Sequence, residues 1–330
     1  MKIPALSRPS ALQHFKEHDF EAAVWATFHH QYETNPVYRA YADLVHKDPD
    51  RVSTIEAIPF LPVGFFKSHE VVSGGGKAEK IFTSSGTTGT TPSQHFVTDL
   101  QWYEHSFSTA FEQCYGPAEN YAFLALLPAY MEREGSSLLY MMDALMKKSK
   151  HPKNGFFLDD HQVLAQTLQE LEAAQQPTLL IGVTYALLDF VASHQFQLNH
   201  TTIMETGGMK GRRKEMVRAA VHRELQAGFG VDFIHSEYGM TELLSQAYSK
   251  GNGWFECPPW MRVLLRDPAD PFQMVATQQT GGINIIDLAN QNSCAFIATE
   301  DLGRKNAQGQ FEVLGRFDAA ELRGCNLMVV

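Results

Sequence analysis

Between residues 99 and 238 of this sequence, short apolar runs alternate with segments of helical periodicity. Residues 121–127 (YAFLALL), 178–183 (TLLIGV), 202–205 and 231–235 have strand character. Residues 99–114, 136–148, 161–174, 185–193 and 212–226 have the spacing of helices, with Val163, Leu164, Thr167, Leu168 and Leu171 on one face of the third. Strands joined through helices return in the same direction, so this alternation predicts an α/β fold, a largely parallel sheet with flanking helices. After Gly251 the helical period disappears, and 261–265, 272–276, 283–287, 295–298 and 311–314 predict short strands of a smaller β-rich subdomain. Before it, Phe15, Phe20, Val24 and Phe28 keep helical spacing, and Gly74, Gly75 and Gly76 lead into a strand-like 80–83. The expected organisation is a helical lead-in (1–75), an α/β core (76–250), a β-rich subdomain (251–315) and a short C-terminal stub (316–330).

Charge and composition narrow the function classes. The 27 Lys and Arg against 37 Asp and Glu leave a net charge of −10, which argues against nucleic acid as a partner. With 44% hydrophobic and 19% charged residues the chain falls among folded domains. No apolar stretch approaches the ~20 residues that span a bilayer, so no membrane span is expected. The N-terminal segment lacks a signal-peptide pattern, and Cys114, Cys257, Cys294 and Cys325 form no CxxC pair. Free thiols and a cytoplasmic location are the expectation. His14 and His18 stand one helical turn apart without a third ligand nearby, and no HExxH occurs, so no histidine metal site is expected.

The densest chemical signal is the run 82–92, FTSSGTTGTTP, a strand opening into a loop of glycines and hydroxyls. Glycines let backbone N–H groups turn toward phosphate oxygens, and Ser and Thr hydroxyls add donors, so the loop suits a polyphosphate. It is not a GxxxxGK[ST] loop, and it also reads as a Ser/Thr/Gly-rich surface turn. The second signal is 234–242, IHSEYGMTE, at the end of a predicted strand, where ligands of open α/β sheets gather. Tyr238 suits contact with a base, Thr241 a phosphate oxygen, and Glu242 a hard cation such as Mg²⁺. The same residues also read as the capped start of a helix. Further on, TEDLG (299–303) and GRFD (315–318) offer an acidic acceptor for vicinal hydroxyls and an arginine for a sugar or phosphate oxygen, or else two surface turns.

The order of these pieces, with Thr206-Gly207-Gly208 between them, resembles the adenylate-forming superfamily. Within it, SSGTTGTTPS (84–93), YMEREGSSLLYM (130–141) and RGCNLM (323–328) look closest to the LuxE-like acyl-protein synthetase family. The resemblance implies that Ser84, Ser85, Gly86, Thr87, Thr88 and Gly89 hold the β- and γ-phosphates of ATP. Gly207, Gly208, Tyr238 and Gly239 would flank the adenine, and Thr241 would touch the α-phosphate or the acyl carboxylate. Glu242 would hold Mg²⁺, Asp301 would bind the ribose hydroxyls, and Arg316 would assist.

In the superfamily a hinge at the position of Asp318 precedes a mobile domain of about 100 residues carrying the adenylation lysine. Twelve residues follow here, so another cation is expected at the reacting phosphate. Mg²⁺ at Glu242 is one source, Lys210 on a glycine-rich turn another, with a solvated charge beside Arg212, Arg213 and Lys214 as its plain alternative, and a partner protein a third. The resemblance also implies a cysteine acyl acceptor, for which Cys325 beside Arg323 is the candidate, with a small apolar residue as the plain alternative. The implied activity is ATP-dependent activation of a carboxylic acid, a fatty acid in this family, with transfer to a protein thiol and onward to an acyl-accepting reductase. A phenylacetate-type CoA ligase and a catalytically inactive nucleotide-binding protein are the rival expectations.

Overall fold

The computed structural model describes residues 10–84, 91–127, 135–158, 160–207 and 216–317. The chain begins with helices α1 (Ser10–His14), α2 (Phe20–Thr34) and α3 (Pro36–Leu44). Helix α3 starts on Asn35, whose side-chain oxygen accepts the Tyr38 N–H at 3.0 Å, with Pro36 in the first turn. Strands β1 (Leu61–Pro62), β2 (Lys80–Thr83) and β3 (Gln94–Val97) follow, then helix α4 (Leu100–Tyr115). The alternating region comprises β4 (Ala122–Leu126), α5 (Ser137–Ser149), β5 (Gly155–Phe156), α6 (His161–Ala173), β6 (Thr178–Val183) and α7 (Thr184–Ser193). It continues with β7 (Thr201–Thr206), α8 (Arg218–Phe229), β8 (His235–Tyr238) and β9 (Ala247–Ser249). Strands β10 (Met261–Arg266), β11 (Gly281–Asp287), β12 (Phe296–Lys305) and β13 (Phe311–Arg316) close the chain.

These elements form two compact units. One takes in the described residues of Met1–Ser106, Met240–Ser245 and Glu256–Val330, and the other those of Phe107–Gly239 and Gln246–Phe255. The division falls inside α4 and again beside Gly239, so the YGMTE segment is shared between them.

The unit of β4 to β9 is built on a six-stranded sheet ordered β5-β4-β6-β7-β8-β9, parallel except for the last pair. Every residue of β4 and of β6 is buried, which is the pattern of parallel strands covered on both faces. Local chemistry sets the helices between them. The Ser136 hydroxyl accepts the Leu139 N–H, and the Asp160 carboxylate accepts the Val163 N–H, opening α5 and α6. Helix α8 ends on Gly230 at φ 65°, where an added Cβ would lie 2.5 Å from the Phe196 carbonyl oxygen, so only glycine turns the chain there.

The other unit holds a sheet ordered β1-β12-β11-β10 with β13 also paired to β12, and the separate hairpin β2-β3. Its strands run antiparallel except β1 against β12. The α/β class with a parallel sheet and flanking helices stands as expected from the sequence. Two strand expectations do not. Residues 272–276 form a turn with a single bridge between Arg266 and Met274, because Asp267 and Asp270 capture the N–H groups of Ala269, Asp270 and Phe272. The strand expected at 231–235 begins only at His235, since the Gln226 amide holds the Asp232 carbonyl in the turn after α8. Among the described residues no helix is long and apolar enough to cross a membrane.

Candidate active site

Strand β3 and the segment Met240–Ser245 make the centre of the candidate site in the first unit. Thr241 and Glu242 sit in a turn closed by Leu243 N–H to the Met240 carbonyl at 3.2 Å, not at the start of a helix as the alternative reading had it. His95 on β3 is buried and its Nδ1 meets the Thr241 carbonyl at 2.8 Å, so Nδ1 carries the proton. Burial depresses its pKa to about 4 against the hydrogen bonds to Thr241 and Asn290, leaving a neutral imidazole at pH 7.

Two residues earlier, the Ser93 hydroxyl hydrogen-bonds the Glu242 carboxylate. The Asn290 amide donates to the Glu242 carbonyl at 2.8 Å. Glu242 is buried, and burial pushes its carboxyl above the usual range, while Ser93, its own backbone, Lys67 and Arg316 pull it back.

Ser93 also closes the mouth of the hydroxyl-rich loop. Its N–H donates to the Ser84 hydroxyl at 2.8 Å, and its carbonyl accepts the Ser84 N–H at 3.0 Å. Below the turn, Asp287 on β11 is fully buried. It accepts the N–H groups of Leu244 and Ser245 at 2.9 and 3.0 Å, the Ser245 hydroxyl at 2.6 Å and the Ala289 N–H at 3.1 Å. The Trp260 indole N–H reaches the same serine hydroxyl at 2.9 Å.

Asp301 and Arg316 stand opposite one another in the register of β12 and β13. Arg316 is exposed and pairs with the Glu300 carboxylate, an interaction worth little by itself. The Asp301 N–H donates to the Thr299 hydroxyl at 3.1 Å, which itself donates to the Ile283 carbonyl at 2.9 Å. The first unit therefore brings together Ser84, Thr241 and Glu242 through β3, sets Asp301 beside Arg316, and lets the Arg316 charge act on Glu242.

In the second unit Gly207 follows β7 at φ 75°, and Tyr238 and Gly239 close β8, the parallel neighbour of β7. All three gather at the carboxyl ends of these two strands. Tyr238 is nearly buried, its ring edge-on to Phe255 with centroids 5.9 Å apart. Glu237 accepts the Thr206 hydroxyl at 2.5 Å, and a Cβ at position 239 would meet its other oxygen at 2.4 Å, so a larger residue there would displace that carboxylate.

The sequence reading passed over two carboxylates in this place. Glu205 on β7 accepts from Arg218 and Ser236, both at 2.6 Å, and from Thr184 at 2.9 Å. Burial alone would raise its pKa, but Arg218, His222 and Ser236 outweigh it and hold the carboxyl at about 2. The available signal was an acidic side chain in a buried strand, TTIMET, which must find partners to be tolerated. Among the described residues Glu237 has no such cation, and burial pushes its carboxyl up to about 7 despite the Thr206 hydrogen bond, with the Glu205 charge adding to the rise.

A raised carboxyl favours the folded state most while protonated, so this contribution is present below the ordinary value of 4.5 and is lost as pH rises to about 7. Glu237→Gln keeps the acceptor for Thr206 and removes the titration. It is expected to gain about 1–3 kcal/mol of stability above that window and nothing below it, read from urea unfolding across pH.

Ser85, Gly86, Thr87, Thr88, Gly89, Gly208, Lys210 and Cys325 lie outside the described residues. Of the other cysteines, Cys257 and Cys294 have thiols pushed up to about 12 by burial. Among the described residues no group of three or more His, Cys, Asp or Glu side chains is placed to hold a metal. Glu242 alone still fits Mg²⁺, which takes one or two carboxylates and completes its shell with water and substrate phosphates.

Two solved structures share this fold. ATP-bound MatB from Rhodopseudomonas palustris aligns at 18% identity and a TM-score of 0.54, over 72% of this chain and 47% of MatB. An open conformation of 2-hydroxyisobutyryl-CoA ligase in complex with 2-HIB-AMP and CoA aligns at 12% identity and a TM-score of 0.66, over 94% of this chain and 70% of that one. The chain thus spans about half the length of MatB. At these identities the likeness concerns the fold. No curated protein sequence matches. The family model for acyl-protein synthetase, LuxE, matches residues 6–330, and by that match the chain belongs to the LuxE acyl-protein synthetase family.

Proposed function

We propose that this protein activates a carboxylic acid with MgATP and passes the acyl group to a cysteine thiol. The acid carboxylate attacks the α-phosphorus, the bond to the β-phosphate breaks, and pyrophosphate leaves with an acyl adenylate formed. A thiolate then attacks the acyl carbon and AMP departs. Two anions meet in the first step, so its barrier is chiefly electrostatic and falls when donors and cations are already in place.

One observation carries the reading: two segments about 150 residues apart are joined by β3. Ser93 closes the Ser84 loop and holds the Glu242 carboxylate, and His95 holds Thr241. In this reading Ser84, Ser85, Gly86, Thr87, Thr88 and Gly89 bind the β- and γ-phosphates, and Thr241 binds the α-phosphate or the acid. Glu242 holds magnesium, whose charge offsets that of the phosphate oxygens. Gly207, Gly208, Tyr238 and Gly239 flank the adenine, Asp301 takes the ribose hydroxyls with Arg316 assisting, and Lys210 supplies a cation at the α-phosphate. Family membership supports a protein thiol as acceptor, a fatty acid as substrate and an acyl-accepting reductase as partner. Cys325 is the acceptor that the family resemblance implies, and burial raises the thiols of Cys257 and Cys294 out of the reactive range.

Acid-dependent exchange of labelled pyrophosphate into ATP, followed by intact mass of the protein, tests both steps. Cys325→Ser is expected to keep exchange and lose the protein-bound acyl group. No exchange with any acid overturns the activation step. A thioester that appears only on added coenzyme A overturns the protein acceptor.

A further inference from the structure

In the unit of β10 to β13, a cavity of about 270 Å³ opens among residues to which the nucleotide reading gives no role. Phe60, Val63, Phe272 and Met274 give it apolar walls, and Tyr41, Lys47 and Arg266 give it polar ones. Arg266 is buried, yet among the described residues its guanidinium donates only to neutral oxygens. These are the carbonyls of Ile283 at 2.9 Å and Thr299 at 2.5 Å, and the Asn284 side chain at 2.7 Å.

A buried cation with no carboxylate among its described hydrogen-bond partners has lost water and is only partly compensated. Burial lowers its pKa, with Tyr41 and Asp301 partly restoring it. Lys47 is half-buried, its ammonium donating to the Ala57 carbonyl at 3.2 Å and standing 5.2 Å from the centre of the Phe272 ring. Of the two carboxylates at this cavity, Glu56 is exposed to water and Glu300 is taken up by Arg316. The inner wall is therefore cationic and apolar at once.

We propose that this cavity binds an amphiphilic monocarboxylate, with its carboxylate toward Lys47 and Arg266 and its apolar body against Phe60, Val63 and Met274. The two cations select the charge, and the aromatic and aliphatic walls select the body. The inference stands on the cavity and its charges alone and does not require the nucleotide reading. The occupant lies against Thr299 and Glu300, immediately before Asp301 on β12.

Titration of the full chain with octanoate and with neutral octanamide, without nucleotide, tests the site by calorimetry. Octanoate is expected to bind, with octanamide weaker by about tenfold or more. Lys47→Met should weaken octanoate and leave octanamide unchanged. Gly64 lines the cavity and a Cβ there meets nothing within 4 Å, so Gly64→Phe should fill the space, keep the melting curve and abolish binding of both. Equal affinity for acid and amide, octanoate binding that survives both substitutions, displacement by inorganic phosphate, or no binding at all each overturns the proposal.

Discussion

Glu242→Gln is expected to cut acid-dependent ATP–pyrophosphate exchange by about 100- to 1,000-fold, the range seen when one preorganised charge or donor is removed from a reacting centre. The fold should not suffer. Glutamine has the volume of glutamate and its oxygen still accepts from Ser93, and the Asn290 bond to the 242 carbonyl does not involve the side chain. Burial already makes the ionised carboxyl costly, so the neutral amide should leave stability at pH 7 equal or higher.

The same raised pKa sets the direction of the acid limb in the wild type. Metal binding needs the carboxylate, so exchange should fail, as pH falls, at a higher pH than an ordinary glutamate would dictate, and added magnesium should shift that limb back toward acid. Wild-type exchange in Glu242→Gln, with wild-type magnesium dependence, would remove Glu242 from the metal site.

Asp287→Ala is expected to be the most damaging substitution for stability, at about 3–5 kcal/mol in urea unfolding. The carboxylate collects four donors, and three of them are backbone N–H groups. Alanine leaves those N–H groups buried without water, each costing about 1–3 kcal/mol when unpaired. Exchange activity should fall with it, because Leu244 and Ser245 belong to the same short segment as Thr241 and Glu242. Asp287→Asn separates charge from geometry: it keeps one acceptor and turns an NH₂ toward donors on the other side, so an intermediate loss is expected. A cost under about 1 kcal/mol for the alanine variant would show that the turn stands without Asp287.

Much of the α/β unit was legible in the sequence because its elements are decided over short distances. Residues 178–183 form the strand expected of them, since six successive buried positions leave no other place for an apolar run. The helices expected at 99–114, 136–148 and 161–174 lie within a residue of α4, α5 and α6 at each end, where Ser136 and Asp160 mark the start by capping. The strand expected at 272–276 failed because period-two hydrophobicity competes with Asx turns, and Asp267 and Asp270 decided for the turn. The helix-start alternative for Thr241 and Glu242 failed for a different reason. The partners that bend the segment, His95, Asn290 and Asp287, lie about 45 to 150 residues away in the chain.

The linear order of residues alone settled the fold class, the motifs and the family resemblance, because hydrophobic period and residue type act locally or through a recognisable order. Only the tertiary structure decided which charges are alone and which are paired. Glu205 with its arginine, Glu237 beside the Glu205 charge, Arg266 facing neutral oxygens and Glu242 under Ser93 are all common residues in sequence. Their behaviour follows from burial and from neighbours that folding supplies, since the energy of a charge depends on the water it loses and the partners it gains.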